Sequence, residues 1–310
     1  MKIILPGGAG LVGQNLVLQL KEKGFSDIVV IDKHHENIRI LETIHPDIQV
    51  MEADLAERGR WEEAFDGADI VVMLQAQIGA KEKTPFIRNN ITATMNIIHV
   101  MKRQEKIPYL IHISSSVLES AANDHYTYSK GKQEEIVVSS GLAHTVLRPT
   151  LMYGWFDRKH LGWLSRFMRK VPVFPIPGSG RYMRQPLYVK DFCHIIIACM
   201  ENKPTGKSYN ISGFEKIDYI DIIREMKTAL GSKTMILKIP YAVFYDLLKI
   251  WAIFDKNPPF TVEQLKALVI REEFEVIDWP NFFNVPFTPF STAIHETFNH
   301  PENSKYALKF

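Results

Sequence analysis

A tyrosine and a lysine four positions apart are the first residues whose types and spacing predict chemistry. They are Tyr126 and Lys130, at the two ends of the run Tyr126-Thr127-Tyr128-Ser129-Lys130. The run lies in a segment with a helical pattern, and residues four apart on a helix share one face. Because an ammonium favours a neighbouring phenolate, we expect the pKa of Tyr126 to fall from about 10 towards neutrality, as a general base requires. A solvated helix face is the alternative interpretation.

A glycine-rich turn between a predicted strand and a predicted helix is typical of a dinucleotide site. The apolar run at residues 2–5 predicts a buried strand, and a helical pattern follows the turn. The turn carries Gly7, Gly10 and Gly13, and glycines permit a tight bend and a close approach of backbone to pyrophosphate. We expect the helix N-terminus, with the backbone of Leu11 and Val12, to bind the phosphates. This G-x-x-G-x-x-G spacing differs from the G-x-G-x-x-G of many dehydrogenases.

An acid at the end of the second predicted strand indicates which dinucleotide binds. Asp32 comes directly after an apolar run. A carboxylate at this position accepts hydrogen bonds from the adenosine ribose and repels a 2′-phosphate, so it favours NAD over NADP. Lys33, His34 and His35 follow at once. They either weaken this preference or form a solvated loop.

The ends of the third and fourth predicted strands supply further candidate cofactor contacts. Asp54 follows the third strand, and we expect its side chain at the adenine amino group with Leu55 packed on the ring. The fourth strand runs into Gln75 and Ala76, which we also assign to the cofactor site.

The alternation of strands and helices predicts the fold class and the edge at which ligands bind. Parallel pairing with right-handed crossovers follows from this order, so we predict an α/β fold with a doubly wound, Rossmann-like parallel sheet. The strand at residues 109–113 ends in Ser114, Ser115 and Ser116. Open α/β sheets bind ligands at the carboxyl ends of their strands. We therefore expect these serines to lie in the site with Tyr126.

The motifs taken together resemble the extended short-chain dehydrogenase/reductase family, in its NAD-dependent nucleotide-sugar epimerase/dehydratase branch. The resemblance covers residues 1 to about 230, in order. The residues that carry it are Gly7, Gly10 and Gly13; Asp32; Asp54-Leu55; Asn90 to Asn96; Ser114-Ser115-Ser116; Tyr126 to Lys130; Arg148-Pro149; Tyr153-Gly154; Arg184; Tyr188-Val189-Lys190-Asp191; and residues 206–211. The remainder of the chain resembles the tail of a looser subset, some of whose members have lost catalysis.

The resemblance implies roles for individual side chains. Tyr126 is the acid/base on a sugar hydroxyl or ketone, and Lys130 holds the nicotinamide ribose and lowers the pKa of the tyrosine. Ser115 hydrogen-bonds the same substrate oxygen, with Ser116 as the alternative serine and a substrate contact. Asn90 supports the site from its helix.

The same resemblance implies a reaction. An NAD-dependent nucleotide-sugar epimerase oxidises a sugar hydroxyl to a transient ketone and returns the hydride. Dehydratases of the family carry an Asp-Glu pair after the catalytic serine, where this chain has Ser116 and Val117. Because valine exchanges no proton, dehydration is disfavoured. The alternatives are an NAD(P)-dependent keto-sugar reductase or dehydrogenase, and a non-catalytic nucleotide-binding member, which the altered run Leu118-Glu119-Ser120 motivates.

Two domains are expected to share the site. Residues 1–154 form the NAD-binding Rossmann domain, to which segments near 181–212 return, and residues 155–310 form mainly the substrate domain and tail. The family places an arginine where this chain has Arg184. An arginine fork suits a diphosphate, so we expect Arg184 to bind a nucleotide-diphosphate sugar.

Composition excludes several other classes. The 310 residues carry a formal net charge of +2, which argues against a broad nucleic-acid-binding surface. Cys193 and Cys199 have no metal-ligand spacing to a histidine or cysteine, so we predict no metal site and place both in one buried helix. Cysteine usage and the lack of a signal peptide or a membrane-length apolar run predict a cytoplasmic protein.

One helical segment is unusually apolar. Residues Tyr241 to Phe254 predict a core or dimer-interface helix, and a monotopic contact with a membrane is the alternative. Related enzymes pair through a four-helix bundle, so we expect a homodimer built on the helices near 85–105 and 126–140.

Overall fold

The computed structural model describes residues 1–119, 124–254, 260–270 and 274–308. Its strands are β1 (Ile3–Pro6), β2 (Ile28–Asp32), β3 (Gln49–Glu52), β4 (Ile70–Met73), β5 (Tyr109–Ile113), β6 (His144–Pro149), β7 (Met152–Tyr153), β8 (Val173–Pro177), β9 (Met183–Arg184), β10 (Leu187–Tyr188), β11 (Lys207–Ile211), β12 (Ile217–Asp218) and β13 (Met235–Ile239). Its α-helices are α1 (Leu11–Glu22), α2 (His35–Ile44), α3 (Thr84–Phe86), α4 (Ala93–Lys102), α5 (His125–Val138), α6 (Leu161–Met168), α7 (Val189–Asn202), α8 (Tyr219–Ala229), α9 (Tyr241–Phe254), α10 (Val262–Val269), α11 (Trp279–Phe283), α12 (Phe290–Asn299) and α13 (Lys305–Leu308). Two 3₁₀ segments (Arg60–Phe65 and Ser116–Glu119) and a π-helical turn (Ile87–Thr92) complete the elements.

The chain divides into two compact units. The first contains residues 1–150, 189–212 and 276–287. The second contains residues 151–188, 213–275 and 288–310.

A parallel sheet organises the described residues of the first unit. Its seven strands have the order β11-β6-β5-β4-β1-β2-β3, and every neighbouring pair is parallel. The order reverses at β1 and β4, as in a doubly wound sheet. The central strands are almost wholly apolar and buried, as expected when helices cover both faces. The predicted Rossmann-like fold is confirmed.

Helices cover the two faces of this sheet. On one face, α4, α5 and the first 3₁₀ segment pack in a single hydrophobic cluster with alternate residues of the strands. Elsewhere in this unit α1 packs against α7, where the Cys193 thiol donates to the Val12 carbonyl at 3.7 Å. Cys193 and Cys199 are both free and buried on α7, as predicted.

The second unit is a smaller mixed domain. Among its described residues, short sheets pair β7 with β10, β9 with β12, and β8 with β13. A separate hydrophobic cluster joins α6, α8 and α12 to β8. This cluster is the core that positions the residues of this unit.

Two predicted helices differ from expectation. The stretch near 85–105 is interrupted by the π-helical turn Ile87–Thr92. In α9 only Leu248 is buried, so the interpretation of α9 as a core helix is wrong. No helix among the described residues has the length and apolar content that crossing a bilayer requires.

Candidate active site

The glycine turn joins β1 to α1, and its three glycines meet different constraints. Gly7 has φ +75°, and a Cβ there would lie 2.4 Å from the backbone of Gln75. A Cβ on Gly13 would lie 2.1 Å from the carbonyl oxygen of Gly8. Both glycines are therefore required by packing within the chain. A Cβ on Gly10 would meet only the Gly7 carbonyl oxygen, at 3.6 Å.

Gly10 is also the N-cap of α1, and its helix has no side-chain cap. The first N–H groups of a helix lack intrahelical acceptors, and those of Leu11, Val12 and Gly13 belong to this turn. A glycine with open space beside an uncapped helix N-terminus fits the pyrophosphate of a dinucleotide.

Asp32 ties the end of β2 to this turn. Its Oδ2 accepts the Ala9 N–H at 3.0 Å, and its Oδ1 accepts the N–H groups of Lys33 and His34 at 2.8 and 3.0 Å. The carboxylate is thereby fixed beside the glycine turn. This position matches that of an acid that binds the adenosine ribose.

Asp54 lies in a cluster of charges. Its Oδ2 lies 3.2 Å from the Lys33 ammonium and 3.0 Å from the Arg88 guanidinium, and its Oδ1 accepts the Ala56 N–H at 3.0 Å. Burial acts to raise the pKa of Asp54, but these hydrogen bonds hold it below its ordinary value. Leu55 is buried in the hydrophobic cluster of the first unit. The expected contacts of both residues with adenine stay predictions.

Ser115 and Tyr126 are close enough for the Ser115 hydroxyl to act on the pKa of the phenol. Ser115 is buried directly after β5, and Tyr126 is half-buried in the first turn of α5. Burial raises the pKa of Tyr126 above its ordinary value, the Ser115 hydroxyl acts to lower it, and the charge of Asp124 adds to the rise. The predicted lowering of this pKa is wrong for this structure, because desolvation of the phenolate outweighs the effect of Ser115.

Lys130 is 1% exposed. Its ammonium donates to the Ile113 carbonyl at 2.8 Å and to the Gln133 amide oxygen at 2.5 Å. Burial lowers the pKa of Lys130 from 10.5 to about 7, and the charge of Glu134 opposes this change. Lys130 therefore lies under the carboxyl end of β5 with two fixed acceptors.

Gln133 connects Lys130 to a buried polar network that the motifs did not indicate. Its amide nitrogen donates to the Thr94 hydroxyl at 2.9 Å, and the amide nitrogen of Gln75 lies 3.3 Å from the same hydroxyl. Thr94 in turn donates to the Asn90 carbonyl at 2.7 Å. Gln133 is three residues from Lys130, and this spacing is the signal that could have identified it.

Asn90 lies in the π-helical turn and is fully buried. Its Oδ1 accepts the Gln77 N–H at 2.6 Å, and its Nδ2 donates to the Ser129 hydroxyl at 2.8 Å. Ser129 donates to the Tyr126 carbonyl at 2.9 Å. Asn90 thus joins the segment after β4 to the turn of α5 that carries Tyr126. Turns of this kind are rare, and they frequently lie at functional sites.

A second group of charged and polar side chains surrounds Glu134, which follows Gln133 on α5. The Ser114 hydroxyl donates to Glu134 at 2.5 Å, and the Arg148 guanidinium binds Glu134 with two of its nitrogens. Burial acts to raise the pKa of Glu134, but Arg148 and Ser114 hold it below its ordinary value. Glu119 accepts from Arg148 at 3.3 Å and from Asn210 at 2.7 Å. Glu119 is therefore bound in this group although its side chain is partly exposed; Ser120 lies outside the described residues.

Three further residues are predicted to contact the substrate or the cofactor, and they differ in burial. Ser116 is buried at the start of the second 3₁₀ segment, and Gln75 is buried two residues after the end of β4. Ala76, next to Gln75, is exposed.

Arg184 belongs to the second unit, and its guanidinium is engaged with backbone. Nη1 donates to the carbonyls of Met183 and Ile270 at 2.7 and 2.9 Å, and Nη2 donates to the Leu268 carbonyl. These bonds attach the end of α10 to β9. Its expected contact with a substrate diphosphate stays a prediction.

Metal chemistry receives no support from the side chains. Across the described ranges of the chain, no three histidine, cysteine or acidic residues are grouped in a way that could hold a metal ion.

Two curated proteins are similar to this chain in sequence. The chain is 24% identical over 241 residues to the mitochondrial NADH dehydrogenase (ubiquinone) 1 alpha subcomplex subunit 9 of Arabidopsis thaliana, a match that covers 76% of this chain and 60% of that relative. It is 22% identical over 272 residues to the UDP-N-acetyl-alpha-D-glucosaminuronate decarboxylase of Bacillus cytotoxicus, covering 79% of this chain and 85% of the relative.

A solved structure shows the same fold. The UDP-glucuronic acid 4-epimerase of Bacillus cereus in complex with NAD superposes with a TM-score of 0.72 at 20% identity, covering 97% of this chain and 98% of the other. Residues 3–212 match the family model described as the NAD dependent epimerase/dehydratase family. The resemblance inferred from the motifs is confirmed, and the chain belongs to the NAD-dependent epimerase/dehydratase family.

Proposed function

We propose that this protein is an NAD-dependent nucleotide-sugar epimerase. The observation that carries the proposal is that Ser115 and Tyr126 are neighbours, at the strand edge where Lys130 is buried. Ser116 and Val117 follow Ser115, where dehydration would need two further proton-exchanging groups. The site therefore has a group that moves a proton to and from one oxygen, and it lacks the further groups that dehydration needs. Epimerisation through a ketone requires only that proton transfer, together with hydride transfer at the same carbon.

The chain's own features fit the cofactor of the family. Gly10 and the N-terminus of α1 would hold the pyrophosphate, Asp32 the adenosine ribose, and Lys130 the nicotinamide ribose. When bound, NAD supplies the acceptor for a hydride and returns it.

Tyr126 moves the proton that accompanies this transfer. Its phenolate form takes the proton of a sugar hydroxyl, and the phenol so formed gives that proton back to the ketone oxygen, while Ser115 hydrogen-bonds that oxygen. Asn90 holds Tyr126 in place through Ser129, and Gln133 holds Lys130. Tyr126 thus transfers the proton, whereas Asn90 and Gln133 only position the side chains that act on the substrate and the cofactor.

The substrate assignment rests on the second unit as well as the first. We assign the diphosphate of a nucleotide sugar to Arg184 and a sugar contact to Ser116. A guanidinium has five N–H donors. Binding a diphosphate would require Arg184 to exchange at least one of its carbonyl acceptors for phosphate oxygen.

A homodimer is part of the proposal. Exposed apolar side chains on the expected pairing helices support it: Ile87, Met95, Tyr128 and Val138. Light scattering of the purified protein tests this state directly.

A keto-sugar reductase is the second candidate, and one observation favours it. The raised pKa of Tyr126 keeps the phenol protonated near neutral pH, which is the form that donates a proton to a ketone. Readily exchanged NADH or NADPH, consumed with substrate, would select this candidate. NAD that survives purification would select the epimerase.

The test is conversion of a panel of UDP-, GDP- and dTDP-sugars, with new isomers separated by chromatography. We expect Tyr126→Phe to lower the rate about 10²–10⁴-fold while NAD binding persists. The matched control is Tyr128→Phe, on the exposed side of the same helix, which we expect to retain activity. Full activity of Tyr126→Phe, or no conversion of any sugar with NAD bound, would point to a non-catalytic nucleotide-binding protein.

A further inference from the structure

Residues 232–254 of the second unit, which we call the outer segment, carry an unusual amount of exposed apolar surface. The segment contains β13 and α9, joined at Pro240. Met235 and Leu237 are exposed on β13, and α9 buries only Leu248. An apolar helix of a water-soluble protein ordinarily buries its apolar face. Contiguous exposed apolar surface of this kind marks an interaction site.

Five exposed apolar side chains of α9 form one stripe. Val243, Leu247, Ile250, Trp251 and Phe254 follow the spacing i, i+4, i+7, i+8 and i+11, and each is at least half exposed. This spacing places them along one side of the helix. The exposure rises to 84% at Phe254, the last residue of the helix.

The side of α9 next to this stripe faces the rest of its unit. Leu248 is buried there, and Phe244 packs edge-on against Phe260 with ring centroids 6.3 Å apart. The helix is thus anchored on one side, and its apolar stripe points outward. Tyr241 and Tyr245 stack near its N-terminus, and Lys249 lies 4.5 Å over the Tyr245 ring.

The charges of the outer segment decide what it can bind. Its charged residues are Lys233, Lys238, Lys249 and Asp246, and all four are exposed. The segment therefore carries an excess of two positive charges. A two-fold pairing of this segment with a second copy of itself would bring like charges together. A negatively charged surface complements it.

We propose that the outer segment binds the surface of an anionic lipid membrane. The apolar stripe of α9 enters the boundary between head groups and acyl chains, and the lysines remain among the head groups. Tryptophan and tyrosine favour this boundary because one part of each side chain is apolar and another is polar. An apolar stripe combined with lysines is the pattern of a helix that lies in the interface. This binding is independent of the reaction at Tyr126.

Flotation with lipid vesicles tests the proposal. The full-length protein is mixed at low salt with vesicles of phosphatidylcholine alone or with phosphatidylglycerol added. We expect the protein to float with the anionic vesicles and to be released by high salt, because salt screens the attraction of the lysines. Protein that stays at the bottom of the gradient with anionic vesicles at low salt would overturn the proposal.

Matched variants identify the surface that binds. Ile250 and Phe254 are 52% and 84% exposed, and I250S combined with F254S should weaken binding at least about tenfold. The control is I107S combined with F282S, at residues of the first unit that are 54% and 62% exposed, and it should bind as the parent does. Equal binding by the stripe variant, with its thermal unfolding unchanged, would overturn the proposal.

Two further measurements distinguish insertion into a membrane from pairing with a second copy of the chain. K238Q combined with K249Q should weaken binding by about fivefold per lysine. Lipids brominated in the acyl chains should quench tryptophan fluorescence in the parent protein and less in W251F. Light scattering that shows the stripe variant converting a dimer into a monomer would instead assign the stripe to a second copy and overturn the proposal.

Discussion

The ammonium of Lys130 and the amide oxygen of Gln133 are 2.5 Å apart in the buried part of α5. The charge of Lys130 is therefore held by an acceptor that its own helix supplies. Gln133 is fixed in turn by the Thr94 hydroxyl. The orientation of the lysine depends on a residue that would not contact substrate or cofactor.

Gln133→Met should shift the pH dependence of activity. Methionine keeps the volume but removes the acceptor, so the pKa of Lys130 should fall further below about 7. Because a hydrogen bond from a charged donor contributes about 1.5–3 kcal/mol, the alkaline limb of the kcat profile should move down by about one to two pH units. The control is Gln104→Met, whose amide donates to Val100 at the end of α4. Lower stability with an unchanged pH profile would give Gln133 a packing role only.

Lys130→Met should stabilise the protein more at low pH than at high pH. The folded-state pKa of Lys130 is about 7 and its ordinary value is 10.5, so unfolding takes up a proton between these values. The resulting penalty is complete below about pH 7 and is lost as the pH rises towards 10.5. The gain from the substitution should therefore be larger at about pH 6 than at about pH 9, by about 3 kcal/mol. Urea unfolding at both pH values measures it, and a gain independent of pH would contradict the buried ammonium.

Two alanine substitutions in the glycine turn should affect different properties, one the affinity for NAD and the other the stability of the fold. Gly10→Ala meets open space, so the free protein should keep its stability or gain about 0.4–1 kcal/mol. NAD affinity should fall by about tenfold or more, because the new methyl group lies where the pyrophosphate binds. Gly13→Ala would press on the Gly8 backbone and should cost about 1–3 kcal/mol of stability. Calorimetric titration with NAD and thermal unfolding separate the two; equal affinities in Gly10→Ala and the parent would remove Gly10 from the site.

Arg184→Lys should lower stability more than the same change at a nearby arginine. Lysine cannot reach all the carbonyls that Arg184 binds, so we expect a loss of about 1–3 kcal/mol. The control is Arg181→Lys, whose guanidinium is exposed and lies 2.9 Å from Asp218; its loss should stay under about 1 kcal/mol. A raised KM for the nucleotide sugar in Arg184→Lys alone would support the diphosphate contact. An unchanged KM with reduced stability would leave Arg184 with the attachment of α10 only.

Strand ends account for most of what the sequence could predict. In a parallel sheet, the carboxyl ends of all strands meet at one edge, so Ser115 could be assigned to the same site as the glycine turn from order alone. The helical spacing of Tyr126 and Lys130 added the acid/base candidate. These assignments needed only local pattern and topology.

Properties that depend on packing among several elements were beyond the sequence. Burial raises the pKa of Tyr126 and the neighbouring Ser115 hydroxyl lowers it. Neither effect can be inferred from a motif. Thr94 and Gln133 are distant in the chain, so their network follows only from the docking of α4 on α5. Arg184 finds acceptors more than eighty residues further along. The apolar composition of α9 predicted burial, but composition does not say which surface covers a helix.

The π-helical turn at Ile87–Thr92 limits how the length of this chain can change. Such a turn holds one more residue than an α-helical turn. Deleting Thr92 would restore the α-helical repeat and rotate Asn90 by about 100° relative to α4, away from Ser129. A substitution beside Asn90 leaves the rotation of Asn90 relative to α4 unchanged, whereas a single insertion or deletion there changes it. Natural variants of this segment should therefore differ in residue type at constant length.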